Sequence, residues 1–365
     1  MVYLDANATE PLRPEAHAAL VAALAVTGNP ASVHGAGRAA RRLLEDAREQ
    51  LATRFGAAPA DVVFTSGGTE ADALAIHALG RDRQLIVGAT EHEAVRSAAL
   101  SANVLPVDRD GVADLDALAR LLEAGGPALV CLMLANNETG TLQPVAEAAA
   151  LCRRHGALLH VDAVQAAGRM PVDLRSLGAH ALAVSSHKLG GPAGAGALLL
   201  APEVSALAPL IAGGGQERGR RGGTPPVATI AGFAAAAATA GDASPLAALR
   251  DRAERAAIEA GAVLCGAHAA RLPNTTSLAL PGVRADAQVI ALDLAGVAVS
   301  AGAACSSGKV ATSHVLTAMG LGPLAGQAIR VSLPWNATAA DVDAFAAAYA
   351  RMADRLRPAL ARPAA

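Results

Sequence analysis

Only two lysines occur in this chain, Lys188 and Lys309, against 28 arginines. The abundance of Ala, Gly, Pro and Arg reads as a coding bias that replaces surface Lys with Arg. A lysine that survives it is a candidate for work a guanidinium cannot do. An amine loses its proton and attacks a carbonyl, whereas a guanidinium stays charged and forms no imine. Lys188 follows a short apolar run in "ALAVSSHK", with His187 just before it. Asp162 ends a similar run, "HVDAVQ", 26 residues earlier. A carboxylate at the end of a buried strand needs a partner. A helix terminus would serve, and so would the protonated nitrogen of a bound ring.

Other stretches carry chemistry less specifically. "FTSGGTEADAL" is a strand, a glycine turn and a helix start. It is either an anion site built from helix amides and the Thr69 hydroxyl, or an ordinary helix capped by Thr69. It lacks the Lys of a phosphate-binding P-loop, and no GxGxxG occurs, which disfavours a nucleotide. His92 in "ATEHEAV" reads either as packing or as an imidazole over a flat ring, and its spacing to other ligand types gives no zinc motif. "GGGQERGRRGGT", residues 213–224, reads as a loop, either merely mobile or passing close to a ligand or another subunit. "SAGAACSSGK" sets Cys305 among small residues four positions before Lys309, a context that suits a reactive thiolate as well as an idle surface cysteine. Cys131, inside an apolar run, reads as structural.

These side chains need a frame. Short apolar runs ("DVVFTSGG", "QLIVGATEH", "PALVCLMLANNE", "ALLHVDAVQ", "ALAVSSHK", "GAGALLLA") alternate with Ala/Leu/Arg helical stretches. That alternation predicts a mainly parallel sheet covered on both faces, an α/β fold whose ligands bind beyond the carboxyl ends of its strands. The polar clusters fall at those ends. Near residue 242 the pattern changes to one helix, shorter β-like runs and a final helix. This predicts a large domain over 14–245 and a smaller α+β domain from 1–13 and 246–365. With 365 residues, 53% of them apolar and a net charge of −2, the chain has enough core for two domains and no character of a nucleic-acid binder. Two per cent aromatic content also argues against base stacking. The start, "MVYLDANATEPLRP", has no apolar h-region, and no apolar run is long enough to span a bilayer, so neither secretion nor a membrane is expected. Four cysteines without a CxxC disfavour a disulfide framework or zinc ribbon, and the expected compartment is cytoplasmic.

Taken in order, "YLDANAT", "NPASVHGAGR", "FTSGGTE", "EHEAV", "NNETGTLQP", "HVDAVQAAG", "SSHKLGGPAGAG", "GGGQERGRRGGT", "SAGAACSSGKVATSHVLTAMGL" and "IRVSLPWNAT" resemble the cysteine desulfurases of aminotransferase class V, over nearly the whole chain. The resemblance implies the fold type I of pyridoxal-phosphate transferases, with a large domain on a mainly parallel seven-stranded sheet. It implies pyridoxal 5'-phosphate as cofactor, held covalently by Lys188, with Asp162 on the pyridine nitrogen and Gln165 on the phenolate oxygen. His92 would stack on the ring and assist proton transfer. Gly68, Thr69, Ser185 and His187 would hold the phosphate, with Thr224 reaching in from the second subunit of a homodimer. Asn137 and Arg330 would bind the carboxylate of L-cysteine, and Cys305 would take its sulfur as a persulfide, leaving L-alanine. A sulfur-acceptor protein follows as a partner, an iron–sulfur scaffold among the candidates, and no metal is implied. "ACSSGK" and the 25 residues from Cys305 to Arg330 resemble the branch with the long catalytic loop. Ala73 stands where the family commonly has Asn, "SLPWNAT" replaces an "SLGR"-like run, and 35 residues follow Arg330. Selenocysteine cleavage and transamination are the alternatives on the same fold, and neither requires "ACSSGK". A non-catalytic sulfur carrier is the alternative of another class, disfavoured by Lys188, Asp162, Cys305 and Arg330 occurring together.

Overall fold

A computed structural model describes residues 1–204, 206–302 and 312–357. Strand β1 (Val2–Tyr3) is followed by helices Pro14–Leu24 and Gly35–Phe55. The second of these buries Ala40, Leu44, Ala47, Leu51 and Phe55, a spacing of three and four that places one apolar stripe against the sheet. His34 caps its start, and Gly56, at φ 73°, ends it in the left-handed conformation open to glycine.

The large sheet takes β2 (Val62–Thr65), β3 (Gln84–Gly88), β4 (Asn103–Leu105), β5 (Ala128–Cys131), β6 (Leu158–Asp162), β7 (Ala181–Ser185) and β8 (Gly196–Leu200). Their spatial order is β2-β8-β7-β6-β5-β3-β4. The run from β4 to β7 is parallel, and β8 lies antiparallel to both β7 and β2. Every residue of β5, β7 and β8 is buried, as expected for strands covered on both faces. The strand β4 was not among the expected runs. "NVL" is short, and two of its three residues are exposed at the sheet edge, so it carries little apolar signal.

The C-terminal part forms a second sheet from β9 (Val263–Cys265), β10 (Thr275–Ala279), β12 (Ser300–Ala301) and β13 (Ala328–Ser332), with β11 (Val297–Ala298) pairing instead with β1. Its core joins Leu4 to Leu278, Leu280, Leu292, Ile329, Val342, Phe345 and Tyr349. Each such fully buried side chain contributes roughly 1.5–3 kcal/mol. The helix Ala339–Leu356 closes this core and opens with a Thr338/Asp341 capping box. Among the described residues no helix is long and apolar enough to cross a membrane.

Candidate active site

The carboxyl ends of β5, β6 and β7 meet the start of helix Gly68–Leu79 around a cavity of about 310 Å³. The nearby Arg330 comes from β13 of the other sheet. Lys188 closes a single 3₁₀ turn just after β7. Its Nζ donates to the carbonyl of Asn7, and to that of Ala8 at 2.8 Å. Asp162 is the last residue of β6, and its Oδ1 accepts the Val164 N–H at 2.8 Å. Gly68 and Thr69 lie in the first turn of their helix, which is capped by Gly67 and has no side-chain cap. Thr69 is therefore not the N-cap: Gly67 takes that position and the helix begins at Gly68, which packs where a Cβ would come within 2.7 Å of Val164.

Ser185, His187, His92, Gln165 and Asn137 line the same space. The Nδ1 of His187 is engaged by Thr9 Oγ1 at 2.7 Å, leaving Nε2 for a ligand. Burial, with the Lys188 and Arg169 cations nearby, depresses His187 to about 4, so its imidazole is neutral at neutral pH. His92 caps the helix Glu93–Ala98, its Nδ1 accepting the Ala94 N–H at 3.1 Å, and it lines the cavity as well. Gln165 is oriented by its surroundings: its Oε1 accepts from Arg169 Nη1 at 2.7 Å while its Nε2 donates to the Asn7 carbonyl at 3.1 Å. Arg169 is in turn held by Glu10 in a buried ion pair at 3.2 Å. The amide is thereby fixed in orientation at the cavity wall.

Arg330 is buried, donating from Nη2 to Asp5 at 2.7 Å and from Nη1 to the Asn137 carbonyl at 3.1 Å. Its Nε is buried and has no hydrogen-bond partner among the described residues. The replaced run beyond it has a role in packing. Trp335 donates its backbone N–H to Glu10 and its indole N–H to the Pro11 carbonyl, and Arg13 lies over its ring.

Several participants escaped the sequence reading. Asn7 lines the cavity and ties its elements together, donating from Nδ2 to Asn137 O at 3.1 Å and to Thr275 Oγ1 at 3.0 Å. Asp72, one turn along its helix from Gly68, pairs with His160 Nε2 at 2.9 Å behind Asp162. The "YLDANAT", "FTSGGTEADAL" and "HVDAVQ" stretches held Asn7, Asp72 and His160, but nothing local reveals their partners. Cys305 and Lys309 lie outside the described residues. Thr224 is exposed and does not line the cavity of its own chain.

The floor of the cavity is short of positive charge. Burial, then the neighbouring Asp72 carboxylate, push Asp162 up to about 7. Burial alone raises Asp72 to about 7 and lowers His160 to about 4. A ligand that brings a proton on a ring nitrogen to Asp162 relieves this deficit. Together with a helix start and His187 for an anion, and the Lys188 amine for an aldehyde, the residues fit pyridoxal phosphate.

A thermodynamic consequence follows. The folded pKa of Asp162 lies above its unfolded value, so the ionised carboxylate costs stability at pH above that folded value. In cofactor-free protein, Asp162→Asn should melt higher than the parent above about pH 7, with the gain shrinking as pH falls towards 3.8. An Asn protein that melts lower across that window in a thermal scan would refute the burial penalty.

Comparison with known proteins agrees with this geometry. The aminotransferase class-V family model matches residues 2–345. A cysteine desulfurase of Cereibacter sphaeroides is 44% identical over 98% of this chain and 96% of its own length. An IscS-like cysteine desulfurase of Mycobacterium tuberculosis is 40% identical over 94% of each chain. The X-ray structure of a NifS-like protein from Rickettsia africae superposes with a TM-score of 0.90 at 34% identity, covering 97% of this chain and 99% of that one. Enzymes of this kind depend on pyridoxal phosphate, and the fold is their fold type I. The cavity, its lysine and these relatives converge: the chain belongs to aminotransferase class V, among its cysteine desulfurases.

Proposed function

We propose that the enzyme moves the sulfur of L-cysteine onto Cys305 and passes it to an acceptor protein, one use being iron–sulfur cluster assembly. The observation that carries the residue roles is the single cavity shared by the Lys188 amine, the buried Asp162 carboxyl and the Arg330 guanidinium. Bound pyridoxal phosphate supplies an electron sink for the substrate α-carbon. Lys188 Nζ holds the cofactor, and Asp162 keeps a proton on the ring nitrogen by offering it a buried anion. Gln165 donates to the ring oxygen from an amide that Arg169 has already oriented. Arg330, already fixed by Asp5 and the Asn137 carbonyl and lining the cavity, offers its guanidinium to the substrate carboxylate. His92, fixed at the head of its helix through Nδ1 and lining the cavity, is placed to assist proton transfer at the cofactor face. Cys305 forms a bond to the substrate sulfur as the carbon–sulfur bond breaks. The balance is L-cysteine plus thiol giving L-alanine plus persulfide.

A homodimer with shared sites is part of this reading. The outward-facing loop that ends at Thr224 holds Glu217 and Arg218 at φ 47° and 59°, left-handed values strained for residues other than glycine. A buried Glu217–Arg48 ion pair at 2.7 Å and the Phe64 N–H on Glu217 at 2.9 Å hold it there. Such a rigid, exposed loop suits contact with a second subunit. The three described cysteines are buried free thiols, which supports a reducing, cytoplasmic setting.

Loaded with cofactor and given L-cysteine and a dithiol reductant, the protein should release alanine and sulfide in equal amounts, from a species that sediments as a dimer. Alanine without sulfide would point to another reaction at the ring, and an active monomer would remove the shared site.

A further inference from the structure

The turn that follows β5 is locked by its own side chains. Asn136 Oδ1 accepts the N–H groups of Glu138 at 2.9 Å and Thr139 at 3.0 Å, while its Nδ2 donates to the Thr90 carbonyl at 3.0 Å. Within this turn, the Asn137 carbonyl holds Arg330. The next residue, Glu138, is 2% exposed, an expensive place for a carboxyl group unless it is held by partners.

Its partners are informative. Glu138 Oε2 accepts from Ser313 Oγ at 2.5 Å. Gly302 packs against the same carboxyl group so closely that a Cβ there would collide with Oε2 and stand 3.0 Å from Cδ. Gly302 and Ser313 lie on either side of the segment that carries Cys305. Ser313 also caps the helix His314–Ala318 through the Leu316 N–H at 3.0 Å, and His314 Nε2 meets the Glu91 carbonyl at 3.0 Å, beside His92. On the Gly302 side, β12 pairs with β13 so that Ser300 stands opposite Arg330. Burial raises the Glu138 pKa, while the Ser313 hydroxyl, Arg330 and His92 oppose that rise.

We infer that Glu138 is a positioning residue for sulfur transfer. It ties both stems of the Cys305 segment to the turn that also holds Arg330, so the nucleophile and the substrate carboxylate site are set relative to one another through one turn. The inference rests on Cys305 being the sulfur acceptor. An apolar residue would fill the space, but it would offer Ser313 no acceptor.

The test uses cofactor-loaded Glu138→Ala, Glu138→Gln, Gly302→Ala, the Glu138→Ala/Gly302→Ala double variant and Cys305→Ala. Substrate docking is read from the absorbance change of the bound cofactor on adding L-cysteine, and access to Cys305 from its alkylation by iodoacetamide, the three described cysteines being buried. Glu138→Ala should keep that absorbance change and a KM within about twofold of the parent, with the loss falling on kcat. Alanine formation should drop roughly ten- to a hundredfold, the scale of a reacting group displaced by about 1 Å. The alkylation rate of Cys305 should change in the same variant. Glu138→Gln, whose amide oxygen accepts the Ser313 hydroxyl, should recover most of the turnover. Gly302→Ala should slow the parent but add little to Glu138→Ala, because the group it strikes is gone. Parental kcat in Glu138→Ala, or a loss matched by loss of the absorbance change, overturns the inference while leaving the function intact. Parental alanine formation by Cys305→Ala overturns the reading beneath it, and the inference with it.

Discussion

Replacing Lys188 with Arg should abolish turnover of L-cysteine, by on the order of a thousandfold or more, while the protein still folds. The carbonyls of Asn7 and Ala8 that now accept from Nζ can accept from a guanidinium equally well, so the charge and much of the hydrogen bonding survive. What is lost is the ability to shed a proton and condense with an aldehyde. Borohydride treatment followed by intact mass should find the cofactor fixed to the parent and absent from both Lys188→Arg and Lys188→Ala. Undiminished alanine production by the Arg variant would remove Lys188 from the chemistry.

The second large effect belongs to Cys305. Cys305→Ala should bind the cofactor and show its absorbance change with L-cysteine, yet make neither alanine nor protein persulfide, a loss again on the order of a thousandfold. Ring chemistry and sulfur capture are assigned to different residues, so removing one should leave the other visible. No described cysteine can deputise. Burial pushes Cys131 well above the usual thiol range, Cys152 up to about 12 and Cys265 to about 11, so each stays a protonated thiol rather than a nucleophilic thiolate. A transaminase or simple lyase on this fold would keep most of its turnover, because its chemistry runs through the lysine and the ring. Alanine formation near the parent rate in Cys305→Ala would therefore refute the desulfurase assignment of this residue.

What could be read from the sequence was local in character. A buried parallel strand is a short apolar run, and a residue at its carboxyl end is a ligand candidate. Asp162, Ser185, His187 and Lys188 were accessible to that logic, and ordered motifs added Gln165, Asn137 and Arg330. Lys188 stood out because an imine needs an amine, a rule of chemistry that holds whatever the fold. The tertiary structure decided the partners. Asp72 meets His160 across 88 positions, Arg48 meets Glu217 across 169, and Ser313 meets Glu138 across 175. A buried polar group needs its partner in space, and chain spacing carries no trace of which distant residue supplies it. The same limit hid Asn7, whose local setting is unremarkable until the segments carrying Asn137, Gln165, Lys188, Thr275 and Ser332 converge on it. Of the two readings of "FTSGGTEADAL", the one with Thr69 as the helix cap does not stand, because Gly67 takes the cap position. The chemical identity of the site was written in residue types, and its geometry was decided by contacts that exist only once the two sheets have packed.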